Sequence, residues 1–170
     1  MKTLLGLDPG SQYTGFGVLQ LQQGQVNHLQ HGVLSLNKAK TFAGRLYLLH
    51  LQLEEVISRW RPHEVVVEKV FLGPNVDSAF KLGHARGVCL GLAAKFGCTI
   101  KEMAPRAVKK SVTSYGAASK DQVALAVSSW LKIDTQGVCR DATDALALAI
   151  ARALLVESEE RVAQMMAENP

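Results

Sequence analysis

Four carboxylates stand where carboxylates are costly. Asp8 closes the apolar run Leu4-Leu5-Gly6-Leu7, just before Pro9-Gly10. Glu68 lies within Val65-Val66-Val67-Glu68-Lys69-Val70. Asp141 and Asp144 are three apart in a helical stretch, so they point the same way as core residues. A carboxylate taken from water needs a cationic partner. Two of them about 5 Å apart, at an effective dielectric near 20, repel by roughly 3 kcal/mol. Gathering several therefore does not serve stability. Divalent cations remove the repulsion, and oxygen-only donors select hard ions, Mg²⁺ or Mn²⁺, over zinc. Taken singly, Asp8 reads as a turn residue and Asp141 as a helix cap or dipole partner. Glu68 and Asp144 have no comparably simple reading, and the four together favour a metal site.

The elements that must position these acids follow from periodicity. Strands are expected over 2–8, 13–21 and 25–36, joined as an antiparallel meander. A helix over 41–60 repeats Leu46, Leu49, Leu53, Val56 and Ile57 at three- and four-residue steps and ends at Arg61-Pro62. Residues 64–70 form a fourth strand, parallel to the first because a crossover helix precedes it. Its alternation sets Glu64, Val66 and Glu68 on one side, with Glu64 expected in solvent. A helix over 76–96 carries Ala79, Gly83, Gly87 and Gly91 at four-residue spacing. Each internal glycine costs roughly 1 kcal/mol against alanine, so the stripe implies close approach by another backbone, either the chain's own sheet or a second copy. A fifth strand covers 99–103 and a short helix 105–113. Ser119 and Gln122 form a capping box for a helix over 119–132. Lys120 sits in its first turn, where the helix dipole disfavours a cation, and this placement marks a local anion. The last helix is expected over 141–155. The chain thus reads as one domain, 1–155, with a frayed or disordered tail, 156–170.

The chain has 170 residues with a formal net charge of +4, enough for one core without disulfides. Its pI near 9.1 fits a polyanionic partner, and a plain solvated surface equally. Cys89, Cys98 and Cys139 show no CxxC spacing and suit a reducing compartment. No signal peptide or membrane-length apolar run is evident, so no membrane partner and a cytoplasmic location are expected.

Taken in order, Asp8-Pro9-Gly10-Ser11 with Thr14-Gly15, Val67-Glu68 with Val70-Phe71, Asn75, Asp77-Ser78-Ala79, Lys81-Leu82-Gly83, Ala85-Arg86-Gly87 and Asp141-Ala142-Thr143-Asp144-Ala145-Leu146-Ala147 resemble the RuvC family of Holliday junction resolvases. The likeness spans nearly the whole chain. It implies an α/β, RNase H-like fold: a five-stranded mixed sheet, three strands antiparallel and the others parallel, flanked by helices. It also implies a homodimer that binds four-way junction DNA and nicks it symmetrically, in concert with a branch-migration helicase complex. Carried over by position, the family's acidic tetrad falls on Asp8, Glu68, Asp141 and Asp144, holding two Mg²⁺ ions for which Mn²⁺ substitutes. Its basic residues near the scissile phosphate fall on Lys109 and Lys120, and its wedging aromatic on Phe71. Lys81, Arg86, Arg106 and Lys110 are further candidates for DNA contacts. The loop Leu72-Gly73-Pro74 lacks a basic residue that some relatives carry, which points to a different cleavage preference.

Three rivals are weaker. Actin-like ATPases share a strand-turn-strand of this kind but clasp nucleotide between two lobes, and this chain holds one. A non-cutting junction binder would be expected to lose an acid, yet all four are present. An RNase H-like nuclease acting on RNA would use the same metal chemistry, and the acids do not separate it.

Overall fold

The computed structural model describes residues 1–69, 76–135 and 137–168. Five strands, β1 (Lys2–Asp8), β2 (Tyr13–Gln22), β3 (Gln25–Ser35), β4 (Glu64–Glu68) and β5 (Thr99–Met103), form one sheet in the order β3-β2-β1-β4-β5. The first three pair antiparallel, while β4 and β5 run parallel to β1. This is the expected RNase H-like arrangement. The expected last residues of β4 differ: Lys69 already lies outside the strand, its N–H donating to Met103 O at 2.8 Å, and Val70 lies outside the described residues.

Strand alternation divides the core into two layers. Leu5, Leu7, Val65 and Val67 pack under α1 (Phe42–Trp60) and α2 (Val76–Lys95). Leu19 and Val66 pack under α3 (Pro105–Thr113), α4 (Lys120–Leu131) and α5 (Arg140–Glu168). Helix boundaries follow local chemistry. Thr41 caps α1, accepting from Gly44 N–H, and Arg61 ends it in the left-handed region. The capping box of Ser119 and Gln122 is fully formed. Trp130, near the end of α4, is 44% exposed, its indole donating to Val112 O at 3.1 Å.

Two further expectations fail. Glu64 is buried rather than solvated, because Arg152, 88 residues on, donates from Nε to its Oε2 at 2.6 Å and Lys2 Nζ donates to its Oε1 at 3.1 Å. Burial pushes the Glu64 carboxyl up, but hydrogen bonds from Arg152 and Lys2 outweigh this and hold it below its ordinary value. The last helix also does not stop at 155. It continues to Glu168, with Val156 buried and the first added turns tied by Arg152–Glu159 and Arg161–Glu157 pairs.

Candidate active site

Asp8 and Glu68 leave the sheet at the same end of two parallel neighbours. The last paired position is Leu7 with Val67, and each acid is the next residue. Since Leu7 and Val67 face α1 and α2, alternation turns both acids toward the α3–α5 layer. The first turns of α5 bring Asp141 and Asp144. They reach the strand ends because α5 lies unusually close to β1 and β2. A Cβ on Gly6 would fall 2.0 Å from Ala145 O, and one on Gly15, the cross-strand partner of Asp8, 1.9 Å from Asp141 O. Only glycine permits this approach. The sequence shows glycines at alternate positions in β2, but not the helix backbone they meet.

Asp8, Glu68 and Asp144 line a cleft of about 290 Å³ with Lys109 and Lys120, walled by Val108, Val123 and Leu148. Burial, reinforced by the charges of Asp144, Asp141 and Glu68 and opposed by Lys120, leaves the Asp8 carboxyl pushed up to about 7. Glu68 is raised too, by burial and then by Asp144, with Lys120 and Lys109 opposing. Lys120 Nζ donates to Asp144 Oδ2 at 2.9 Å, and this bond raises the ammonium group above its ordinary value despite partial burial. The oddly placed cation of the first turn of α4 therefore has its anion. Asp141 does not line the cleft; its Oδ2 lies 3.9 Å from Cys139 Sγ, and its charge acts on Asp8 from the side.

Among the described residues, no three acidic, histidine or cysteine side chains stand close enough to enclose an ion as they are. Their chemistry nevertheless fits a hard divalent cation. The converging donors are carboxylate oxygens, and added positive charge would offset the burial and like charges that raise the Asp8 carboxyl. Ligation by Asp144 would exchange its bond to Lys120 for a bond to the metal.

A family model described as crossover junction endodeoxyribonuclease RuvC matches residues 4–152. The chain belongs to the RuvC family. A RuvC protein of Bdellovibrio bacteriovorus is 46% identical over 147 residues, covering 86% of each chain. One of Caulobacter vibrioides is 42% identical and covers 94% of each. Thermus thermophilus RuvC, solved in complex with a Holliday junction substrate, superposes with a TM-score of 0.86 at 28% identity, covering 94% of this chain and 97% of that one.

The other residues singled out by the RuvC resemblance are distributed unevenly. Phe71 and the Leu72-Gly73-Pro74 loop lie outside the described residues. Lys109 and Lys120 reach the cleft. Arg106 and Lys110 are exposed on α3. Lys81 pairs with Asp77 along α2. Arg86 is largely covered and bonds Glu102 at 2.9 Å, on the α2 side of the sheet and away from the acids. No helix among the described residues is long and apolar enough to cross a membrane.

Proposed function

We propose that this chain is a Holliday junction resolvase that cuts four-way DNA by paired, symmetric, metal-dependent nicks in homologous recombination and repair. The observation that carries this reading is the convergence of Asp8, Glu68 and Asp144 with Lys109 and Lys120 on one cleft, beside the start of the helix that also carries Asp141. Asp8, Glu68, Asp141 and Asp144 would hold two Mg²⁺ ions, or Mn²⁺ in their place. When bound, these supply a lowered pKa for the attacking water and charge opposite the departing 3′ oxygen. Asp8, between the other acids, is the residue best placed to serve both ions. Lys120, once released from Asp144, offsets charge growing on the phosphoryl oxygens, and Lys109 faces the same cleft. In-line attack then leaves 5′-phosphate and 3′-hydroxyl ends. Arg106 and Lys110 serve as phosphate contacts, with Lys81 and Arg86 secondary because each already has an acidic partner. Phe71 is assigned to stacking at the junction centre.

Two symmetric nicks call for two sites, and a homodimer supplies them. The surface that fits this role is the outer side of α1 and α2. Val76 and Phe80 are exposed there, beside Leu46, Ala79, Gly83 and Gly87, and added Cβ atoms at Gly83, Gly87 and Gly91 would meet nothing within 4 Å. Of the two partners the stripe implies, the sheet is not the one in contact, and this supports a second copy. A branch-migration helicase and the cytoplasm complete the proposed setting.

The test is incubation with a synthetic mobile four-way junction in Mg²⁺, beside linear duplex and an RNA–DNA hybrid. Paired nicks confined to the junction are expected. Equal cutting of the hybrid would instead favour the RNA-directed reading. Asp144→Asn is expected to bind the junction and not cut it; undiminished nicking would remove Asp144 from the site.

A further inference from the structure

We propose that Tyr115 stacks on a nucleotide of the strand held beside the cleft, with Arg106 and Lys110 gripping the flanking phosphates. This rests on the reading of the chain as a junction nuclease and adds a contact that the four acids do not require.

The segment from α3 to α4 presents two sides. Lys109 and Lys120 turn inward to the cleft, while Arg106, Lys110 and Tyr115 turn outward. The loop between the helices is tightly built. Ser114 ends α3 in the left-handed region at φ 64°. The Tyr115 N–H donates to Thr113 Oγ1 at 3.2 Å, and Tyr115 O accepts from Ala118 N–H at 3.1 Å. Ala118 is buried. Gly116 folds back on α3, where an added Cβ would lie 3.3 Å from Arg106 O and 3.8 Å from Lys110 Cβ. The residue after Tyr115 is therefore packed on the turn of α3 that carries both cations, while the exposed Tyr115 ring borders the outer side of α4.

Tyr115 is 61% exposed, and its hydroxyl makes no hydrogen bond among the described residues. Arg106 and Lys110 form no ion pair among the described residues either. Phosphate contacts supply position and affinity, and an aromatic face accepts any base. A ring on a pre-formed loop loses little freedom when it stacks. Tyr115 also borders a groove with Leu125 and Trp130, which a protein partner could fill. Local charge favours the nucleic acid: Arg106 and Lys110, without ion pairs among the described residues, lie on the turn of α3 that Gly116 packs against, and Asp121, the acid nearest in the chain, bonds Arg140 at 3.5 Å.

The experiment measures binding of four-way junctions carrying 2-aminopurine at successive positions around the cut, in Ca²⁺ so that the strands stay whole. Wild type should quench or enhance one position selectively. Tyr115→Ala and Tyr115→Leu should erase that signal and weaken binding by about tenfold, equivalent to roughly 1.4 kcal/mol. Tyr115→Phe should keep both. Arg106→Ala should flatten the salt dependence by about one unit of slope and leave the fluorescence alone. Unchanged affinity and fluorescence in Tyr115→Leu, melting as wild type does, would overturn the proposal and turn attention to the groove as a protein contact. A wild type that does not bind the junction in Ca²⁺ and does not nick it in Mg²⁺ would overturn the nuclease reading itself.

Discussion

Asp8 behaves unlike an ordinary aspartate because three other acids and a shortage of water surround it. Raised from an ordinary 3.8 to about 7, it binds a proton in the native state that the unfolded chain has already released across that interval. The native state thus gains from this group fully below about pH 4, and the gain is lost as pH rises through 7. The difference is on the order of 4 kcal/mol. Without metal, Asp8→Asn should therefore be the more stable protein at pH 8 by a few kcal/mol, with the gap closing near pH 4. Urea unfolding at the two pH values checks this, and equal stability at pH 8 would mean that Asp8 does not feel its neighbours. Added Mg²⁺ should raise the melting temperature of wild type and barely move that of Asp8→Asn, since a bound cation stabilises only the chain that binds it.

At the level of elements, helix α5 does two jobs at two places along its length. Its start rests on Gly6 and Gly15 and brings Asp141 and Asp144 over the end of β1. Further along, Arg152 anchors it to Glu64, the first residue of the strand whose last residue is Glu68. Gly15→Ala should push the first turn of α5 off the sheet, at a cost of roughly 1–3 kcal/mol, and should lower nicking far more than junction binding. Gly17→Ala is the control, because its added Cβ would meet Leu146, 2.7 Å from Cδ2 and 3.0 Å from Cα, farther along α5 than the Asp141 carbonyl. Equal loss of nicking in both would reduce Gly15 to a packing residue. The strands, the meander of the first three and the parallel course of β4 were legible in the sequence, from period-two alternation and a crossover helix; the place of β5 beside β4 was not. The convergence of Asp8, Glu68 and Asp144 was legible for a related reason: Glu68 in an apolar strand and Asp144 on an inward helix face demand an explanation from charge. Glu64 was not, because Arg152, the side chain that makes its burial tolerable, arrives 88 residues later. Nor was the length of α5, because its acidic, apolar-poor end is held by pairs that composition does not reveal. The role of Gly15 was hidden for the same reason, as its partner is a backbone carbonyl.

At the scale of the whole molecule, the two faces of the sheet are specialised. The α3–α5 side holds the acids and the exposed cations of α3, whereas the α1–α2 side presents Val76, Phe80 and the open glycine stripe. Gly87→Leu should strengthen α2 as an isolated helix by up to about 1 kcal/mol. It should nonetheless convert a dimer to monomers in light scattering, because the smooth surface is lost. A variant that remains dimeric would place the interface elsewhere. Paired nicks should become single, uncoordinated ones in the monomer.

The most direct measurement is anomalous diffraction from crystals of this protein soaked in Mn²⁺ near neutral pH. The expected map shows manganese between Asp8, Glu68 and the two acids of α5, with Asp144 turned from Lys120 toward the ion. A well-ordered crystal in which these side chains keep apart and no manganese lies among them would contradict the metal-dependent mechanism.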